Sequence, residues 1–599
     1  MTTLPRRPEI EVPSEGFWEK DDWHYPTPMT AFGASVYLPS LELGLATQCR
    51  EFGILAEGEQ QRWIGHEVYG RTVPYRGKPW PRWPWWFFGL VARISPEMRR
   101  RTRIAERALR SGLAERYLAT WESEWREALR RGAADLRSRN LRALNDIALL
   151  DHLERAIDLH RRGAVAHFRL NTPYGLAVRE LYAAGRELIG WDPPQTLALL
   201  AGASAISSEP GRRLSERADL FARSPAAGEA LEKGGADLVD RLRDVAPEAA
   251  DALAAYVEAY GHRPIGYDPG DATLAERLEL IVGLLRDRMG RGDPTAGDGA
   301  TRVRDEAIGR ARAALAGRPP ADRERFERAY AAAWRAYPLR EESIFYGDSL
   351  PGGVLRYAAL EIGRRLVERR LLNRAADAMH LTADELRRIL RHGDDGVDEL
   401  VDRRRSEREW VMAHPGPPSY GGDEGAPPDL RGVPWALRHF NQVWLIPVAG
   451  LGSASTTVGM EEHKLVGAPG SPGRYSGTAR VVRDDSEFGR LRPGDVLVCS
   501  IASPAWSVFF AQAGAVVTDA GSASAHAAII AREYGIPAVL GTGDATRRLR
   551  DGQLVTVDGT AGLVTIENDP STAMIQRGRQ GPERVAEPDD PGHDLDPDP

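Results

Sequence analysis

The sequence predicts a multidomain protein with a large, mainly α-helical N-terminal region and a C-terminal β/α domain. From about residue 99 to residue 400, apolar residues recur at helical spacing among many Arg and Glu residues. From about residue 465, short β-branched runs bounded by Gly, Asp and Pro replace that pattern. A chain of 599 residues is long enough for two to four domains of ordinary size.

The same changes in composition divide the chain into five segments. Residues 1–98 are rich in Trp, Tyr, Pro and Gly, and we expect irregular structure that leads into short elements. Residues 99–414 are expected to form the helical domain, residues 415–464 a Pro/Gly-rich linker or hinge, and residues 465–567 the compact β/α domain. Residues 568–599 are acidic and proline-rich, which predicts a disordered tail.

One helix of the N-terminal region has both of its ends marked in the sequence. Thr382 and Glu385 in "LTADELRRILRHGDDG" form a capping-box pattern, and Gly393 is placed to end the helix. The predicted helix presents Leu386, Ile389 and Leu390 on one side.

Composition excludes several classes of protein. The net charge of −7, from 79 basic and 86 acidic residues, gives no reason to expect a nucleic acid or an anionic membrane as partner. Cys49 and Cys499 are the only cysteines, so no disulfide framework and no thiolate metal site is expected. The N-terminus lacks the apolar core of a signal peptide, and no window approaches the roughly 18 apolar residues of a membrane span. These features predict a cytoplasmic protein.

His526 lies at the predicted start of a helix, directly after a strand and a turn of small residues. A short buried strand, "AGAVVTD", ends in a turn of small residues, and a helix follows that stops at Gly535. His526 lies in its first turn, with Ser522 or Ser524 as the expected N-cap. Free backbone N–H groups and the positive end of the helix dipole favour a phosphate there. The same dipole favours a neutral imidazole, the form that attacks phosphorus. The alternative is an ordinary surface or capping histidine.

The sequence around His526 favours the phosphate-binding histidine over the ordinary surface or capping histidine. "TDAGSASAHAAIIAREYGIPAVLGTGDATRRLRDGQLVTVDGTAGLV" resembles the phosphohistidine (swivelling) domain of the phosphoenolpyruvate-utilising enzyme family, as does the preceding "GSPGRYSGTARVVRDDSEFGRLRPGDVLVCSIASPAWSVFFAQAGAVV". The family includes phosphoenolpyruvate synthase, pyruvate phosphate dikinase and rifampicin phosphotransferase. The resemblance implies that residues 465–567 are a swivelling domain and that His526 becomes phosphorylated.

Two positions depart from the family pattern. Gly521 matches the first glycine of the family's pair, whereas Ser522 stands at the second and Ala525 replaces the serine before the histidine. The missing hydroxyl is a potential donor to the phosphoryl group. We expect Ser522 or Ser524 to supply a substitute, beside Gly521, in binding the phosphoryl group.

The helical region carries a weaker resemblance. "YVEAYGHRPIGYD" and "YPLREESIFYGDSLPGGVLRYAALEIGRRL" are similar to segments of rifampicin phosphotransferase-like proteins, whose helical domain binds the acceptor. That resemblance implies an acceptor-binding role for residues 99–414. His262 and Arg263 are candidates to contact phosphate or to orient an acceptor hydroxyl.

The pair Arg340 and Glu341 lies where the family places its acceptor pocket. Arg340 is a candidate to neutralise the transferring phosphoryl group, since a guanidinium matches its oxygens bidentately. Glu341 is a candidate to accept the proton of the attacking hydroxyl. The alternative for all four residues of the helical region is a structural ion pair between helices.

Family enzymes also need a phosphoryl donor site, either an ATP-grasp domain or a phosphoenolpyruvate-binding barrel. The N-terminal 400 residues show no Gly-rich phosphate loop followed by lysine, and only about thirty residues follow the β/α domain. We therefore expect a separate ATP-grasp subunit that phosphorylates His526, a split layout that resembles phenylphosphate synthase. Mg-ATP would be held by that partner, so that this chain has no permanently bound cofactor and no metal ligand is named.

Taken together, the sequence predicts a phosphotransferase subunit that carries a phosphoryl group on His526 to a small-molecule hydroxyl acceptor. One alternative is a non-catalytic binding or regulatory protein that retains the fold; another is a phosphoenolpyruvate-dependent enzyme with a separate barrel chain. The aromatic runs "WPRWPWWFF" and "FWEKDDWHY" either line an acceptor pocket or belong to a core or interface. His24 and His66 receive no role.

Overall fold

The computed structural model describes residues 5–22, 24–75, 83–235, 237–289, 298–394, 396–422, 428–449 and 463–567. The predicted tail, residues 568–599, lies outside this part of the chain.

The α-helices of the described residues are Ala31–Phe52 (α1), Trp85–Ile94 (α2), Pro96–Arg110 (α3), Leu113–Thr120 (α4), Arg126–Arg137 (α5), Asp146–Ile189 (α6), Pro193–Leu197 (α7), Ala205–Arg223 (α8), Pro225–Lys233 (α9), Leu238–Val245 (α10), Pro247–Tyr256 (α11), Leu278–Arg288 (α12), Asp298–Leu315 (α13), Pro320–Ala336 (α14), Leu339–Ile344 (α15), Leu350–Glu368 (α16), Ala383–His392 (α17), Val397–Ala413 (α18), Trp435–Ala449 (α19), Ser507–Phe510 (α20), His526–Tyr534 (α21) and Ala545–Arg548 (α22).

The strands are Phe17–Lys20 (β1), Ala56–Ile64 (β2), Glu67–Pro74 (β3), Ser419–Gly421 (β4), Lys464–Val466 (β5), Ala468–Ser471 (β6), Arg474–Val482 (β7), Val496–Cys499 (β8), Ala515–Thr518 (β9), Ala538–Leu540 (β10), Leu554–Asp558 (β11) and Leu563–Ile566 (β12). This arrangement confirms the predicted fold class, a large helical region followed by a β/α domain.

The description of residues 1–98 as irregular is wrong. Strands β1, β2 and β3 join β4 in a four-stranded antiparallel sheet of order β2-β3-β1-β4. Helix α1 is 22 residues long and packs closely on α6. Its small residues are buried on several sides, so it lacks the single apolar stripe by which an exposed helix is recognised.

Helix α6 forms the centre of the helical region. It runs for 44 residues, from the Asn145 side chain that caps the Ala148 amide to Gly190 in the left-handed conformation. A Cβ at Gly163 would lie 1.9 Å from the carbonyl oxygen of Gly347. The glycine therefore allows α6 to approach the turn that follows α15, and this contact brings α15 to the middle of α6.

The predicted helix between Thr382 and Gly393 is present as α17. Both halves of its capping box are formed, and the side chains of Leu386, Ile389 and Leu390 are buried. The capping pattern was sufficient here because all of its hydrogen bonds are local.

The β/α domain is built on a sheet of order β5-β12-β11-β7-β8-β9-β10-β6. Strands β7, β8, β9 and β10 are parallel, while the strands at both ends of the sheet pair antiparallel. Each β-branched run singled out in the sequence forms a strand. Helix α21 connects β9 to β10, so its first residue lies beyond the carboxyl end of a central parallel strand.

The segment predicted to be a linker contains ordered structure. Residues 435–449 form helix α19, which packs on α3 and α6, and β4 pairs with β1. Phe440 and Asn441 are buried: Phe440 packs on Phe52, and the Asn441 side chain accepts a hydrogen bond from the Leu55 amide. The segment was predicted to be a linker because proline and glycine are frequent at its two ends, on either side of the helix. Residues 450–462, also in the predicted hinge, lie outside the described residues.

Across the described residues, every helix is too short or too polar to cross a bilayer.

Candidate active site

His526 is the first residue of α21 and lies where the turn after β9 meets the helical region. Gly521, in that turn, has a φ of 128°, a conformation that favours glycine. The N-cap is Ala525, and no side chain caps the helix, so the expectation of Ser522 or Ser524 as N-cap is wrong. An extra residue of extended backbone separates the serines from the helix. The first-turn amides are therefore not bonded to a capping side chain.

Ser522 and Ser524 instead contact each other. Their hydroxyl oxygens are 3.2 Å apart, and both side chains are partly buried. Their predicted role in binding a phosphoryl group, with Gly521, stays a prediction.

The structure brings His526 and Glu341 together. Nδ1 of His526 lies 2.6 Å from Oε1 of Glu341, and both side chains are at least 90% buried. The second carboxylate oxygen accepts a hydrogen bond of 3.3 Å from the Ser207 hydroxyl. An ionised carboxylate only accepts, so a neutral imidazole in this contact donates from Nδ1 and has Nε2 as its unprotonated nitrogen.

Arg340, the neighbour of Glu341, has no carboxylate within ion-pair distance in the part of the chain that the structure describes. Its guanidinium lies 5.8 Å from the ring centre of Tyr174, and its Nε is buried without a hydrogen-bond partner. The alternative for Arg340 was a structural ion pair, and the described residues supply no carboxylate for it. The positive charge is thus left available to an anion.

Two further aromatic side chains enclose this site. The ring of Tyr267 is 6.3 Å from the ring of His526. His167, on α6, contacts the Ser343 hydroxyl through Nδ1 at 2.8 Å. Burial lowers the pKa of His167 to about 3, and the nearby charge of Arg340 adds to the shift. His167 is therefore neutral, and the cation at this position is Arg340.

Sequence reasoning missed Ser207, Tyr267 and His167. Tyr267 belongs to the quoted "YGHRPIGYD" text, but a tyrosine among glycines has no chemical signature of its own. Ser207 and His167 lie on helices 134 and 174 residues before Glu341, so that only the packing of α6, α8 and α15 brings them near it.

His262 and Arg263 are engaged elsewhere. Nδ1 of His262 lies 2.8 Å from the Tyr357 hydroxyl and its Nε2 lies 3.2 Å from Glu258. Arg263 is buried with its guanidinium 4.8 Å from the ring centre of Phe345. Burial lowers the pKa of Arg263 to about 10. The contacts of His262 favour the structural alternative. Arg263 has no ion-pair partner among the described residues, and its Nη2 is buried without a hydrogen-bond partner. The predicted phosphate contact stays a prediction for both residues.

The β/α domain is docked on the helical region through the same helix that carries His526. Arg532 donates to the Tyr337 hydroxyl at 2.7 Å, and Glu533 accepts from the amides of Gly202 and Ser204. Burial raises the pKa of Glu533 to about 7, although these two amides favour its charged form. An apolar cluster from α8–α12 and the β/α domain, including Phe221, Leu285, Phe509 and Ile530, completes the contact.

The two aromatic runs have different surroundings. Trp83, Trp85 and Trp86 are 40–59% exposed at the start of α2, whereas Trp80 lies outside the described residues. In the other run, Trp18 is buried in the small sheet, and the ring of His24 lies 6.2 Å from that of Tyr267. The second run therefore reaches the site that contains His526.

Two known protein families match segments of this chain. Residues 491–562 match the PEP-utilising enzyme, mobile domain, and residues 174–341 match the rifampicin phosphotransferase fourth domain. The first match contains His526, and the second ends at Glu341, its hydrogen-bond partner. The resemblance on which the sequence analysis relied is confirmed.

Curated relatives agree with these matches. A rifampicin phosphotransferase from Streptomyces sp is 30% identical over 74% of this chain and 49% of its own length. The uncharacterized phosphotransferase YvkC of Bacillus subtilis is 34% identical over 41% of this chain and 28% of its own. Phosphoenolpyruvate synthase of Aeropyrum pernix is 52% identical over 16% of this chain and 12% of its own. The chain spans less than half the length of each, and the names support a phosphotransferase.

Proposed function

We propose that this chain is a phosphotransferase that carries a phosphoryl group on Nε2 of His526 and delivers it to a hydroxyl acceptor bound against the helical region. The observation that supports this most directly is the 2.6 Å contact between Nδ1 of His526 and Glu341. A carboxylate on Nδ1 leaves Nε2 as the nitrogen that holds and releases the phosphoryl group when the domain is docked.

The proposed cycle has two transfers. In the first, Nε2 of His526 attacks the phosphorus of the donor, and the bond from phosphorus to the donor's leaving oxygen breaks. In the second, the acceptor hydroxyl gives its proton to a base beside it and its oxygen bonds to the same phosphorus, while the P–N bond breaks and its electron pair returns to the imidazole. The docked arrangement corresponds to the second transfer, because the helical region then covers the histidine.

Arg340 and Glu341 have separate tasks in this proposal. Arg340, whose charge no carboxylate of the described residues balances at ion-pair distance, stabilises the oxygens of the transferring phosphoryl group. The sequence suggested Glu341 as the acceptor of the hydroxyl proton. Its engagement with Nδ1 supports a different task, which is to hold the imidazole in one tautomer and orientation.

We further propose Mg-ATP as the donor, through an ATP-grasp subunit that docks with the β/α domain. To meet that subunit, α21 has to leave Tyr337, Gly202 and Ser204, and the segment between α19 and β5 connects the two bodies. Magnesium is held by the nucleotide and the partner, and the acceptor is a small molecule with a hydroxyl group.

Intact-mass analysis after incubation with Mg-ATP and the candidate subunit tests this function. We expect a gain of one phosphate that is stable to alkali, is lost in acid and maps to His526. The His526→Ala variant should gain none, while His463→Ala, a change at an exposed histidine of the same domain, should gain it normally. Incorporation that persists in His526→Ala would refute the proposal. Incorporation from phosphoenolpyruvate but not from ATP would overturn the choice of donor alone.

A further inference from the structure

His24, to which the sequence gave no role, is held by a carboxylate of its own, that of Asp21. It follows β1, and its Nδ1 lies 3.0 Å from both carboxylate oxygens of Asp21. The backbone amide of His24 also donates to Asp21, at 3.1 Å, so the turn fixes the pair. Since the carboxylate accepts the proton of Nδ1, Nε2 of His24 is left as a base.

The ring of Tyr267 is close to both imidazoles. It meets His24 edge-on at 6.2 Å, with an interplanar angle of 85°, and it meets His526 at 6.3 Å. The His24 side chain is 62% exposed, whereas the Glu341 side chain that holds His526 is 4% exposed. His24 therefore faces solvent-accessible space next to the buried phosphoryl carrier.

Charged groups from other elements converge on the same space. Asp21 raises the pKa of His24, Glu59 on β2 adds to the shift, and Arg340 opposes it. Burial raises the pKa of Glu59 to about 7, and Asp21 adds to that shift. Arg340, which we place on the phosphoryl group, is thus close enough to act on His24 electrostatically. A histidine that served only the β1 turn would not need to face this cluster.

We propose that His24, oriented by Asp21, is the general base that takes the proton from the acceptor hydroxyl. The inference rests on the proposed function. The acceptor lies against Tyr267 with its hydroxyl between the two imidazoles. As its oxygen bonds to phosphorus, the O–H proton passes to Nε2 of His24, and the P–N bond to His526 breaks with its electron pair returning to Nε2 of that ring. The proton then leaves His24 for solvent.

A base of this kind defines the substrate class. An aliphatic or benzylic alcohol keeps its proton at neutral pH and needs the base, whereas an acidic phenol is already ionised. We therefore infer that the natural acceptor carries a weakly acidic hydroxyl. Asp21 is a positioning residue in this scheme, because it acts through the ring of His24.

The test begins with chemical loading of the full chain by phosphoramidate, with His526 occupancy measured by peptide mass analysis. Transfer is then followed to two probes of similar shape, benzyl alcohol and 4-nitrophenol. We expect His24→Gln to load normally and to slow transfer to benzyl alcohol about 10²–10⁴-fold, with a much smaller effect on 4-nitrophenol. His392→Gln, at an exposed histidine at the end of α17, should behave as the wild type.

The pH profile gives a second readout. Transfer to benzyl alcohol should rise with pH through the pKa of His24, which lies above its ordinary value, and His24→Gln should lose that rise. Glu59→Gln should keep it, which separates the two groups that titrate there. Equal slowing of both probes by His24→Gln, or an unchanged rate for benzyl alcohol, would overturn the inference and leave phospho-His526 intact. Absence of loading at His526 would instead overturn the proposed function.

Nitrogen-15 NMR of the imidazoles tests the geometry without any acceptor. Neutral His24 should carry its proton on Nδ1, and Asp21→Asn should change that tautomer. A proton found on Nε2 in the wild-type protein would contradict the assignment of His24 as the base.

Discussion

The β/α domain and the helical region contribute to one site in opposite ways. In the β/α domain, the strand, the turn and the helix that present His526 are contiguous over Ala515–Thr518 and His526–Tyr534. In the helical region, the residues that face the histidine come from four separate places, namely His24, His167, Tyr267 and Glu341. The position of His526 on its own domain is thus set by local structure, whereas the residues around it from the helical region depend on tertiary packing.

If this contrast is correct, Arg340, which has no ion-pair partner among the described residues, should give the largest effect of the variants that follow. Arg340→Met should slow transfer from phospho-His526 about 10²–10³-fold, because it removes charge stabilisation from a partly desolvated transition state. Arg340→Lys should recover part of the loss. Single-turnover transfer from the loaded protein is the measurement. The matched control is Arg335→Met, which removes only an exposed ion pair with Glu122 and should leave the rate unchanged.

A smaller effect on the rate of transfer is expected for Glu341, the hydrogen-bond partner of His526. Glu341→Gln should slow transfer about 10–10²-fold, because an amide can donate to Nδ1 and favour the wrong tautomer. Formation of phospho-His526 should continue, since that step takes place away from the helical region. Glu342→Gln is the control, because the neighbouring carboxylate binds Trp121 and Arg126 instead. Equal loss in both steps would count against the assignment of Glu341 to the second transfer.

The docking contact of Glu533 should appear as a pH dependence of stability. Folding raises the pKa of this carboxyl to about 7, so the folded state binds a proton that the unfolded state releases near pH 4.5. Its contribution to stability therefore falls as the pH rises from about 4.5 to 7, by up to about 1.4 kcal/mol per pH unit.

Glu533→Gln should flatten this slope in melting-temperature measurements between pH 5 and pH 7. The exposed change Glu232→Gln should leave the slope as it is in the wild type. A wild-type slope that survives in Glu533→Gln would show that other groups control the pH dependence.

The smallest effect concerns the cap of α21. Ala525 occupies the N-cap with an extended backbone, φ −71° and ψ 160°, where a serine hydroxyl would accept from a first-turn amide. Ala525→Ser should stabilise the β/α domain by about 0.5–1 kcal/mol in denaturant unfolding. The same change at Ala523, which is buried before the helix begins, should give no such gain.

The parts of the molecule that the sequence predicted are those held by local interactions. The capping box of α17, the strands of the β/α domain and the position of His526 at a helix start all follow from residues close in sequence. The pair Arg340 and Glu341 was found through its resemblance to a family segment, and the structure adds the partner of Glu341.

What the sequence did not predict depends on distant contacts. The antiparallel sheet joins Phe17–Lys20 to Ser419–Gly421 across about four hundred residues, so neither strand is recognisable alone. Helix α1 is buried on several sides, so its sequence does not show the single apolar face of an amphipathic helix. The sequence assigns no role to His24, because only the fold brings its ring near Tyr267, whose ring is near His526. Tyr267 lies more than 240 residues further along the chain.

The central claim is that Glu341 binds Nδ1 of His526 during the second transfer, so that the phosphoryl group on Nε2 is presented to the acceptor. The most direct test is to load the protein and identify the phosphohistidine isomer by phosphorus and nitrogen NMR. We predict a single phosphoryl group on Nε2 of His526, with Nδ1 protonated. A phosphoryl group on Nδ1, or on a residue other than His526, would contradict the account.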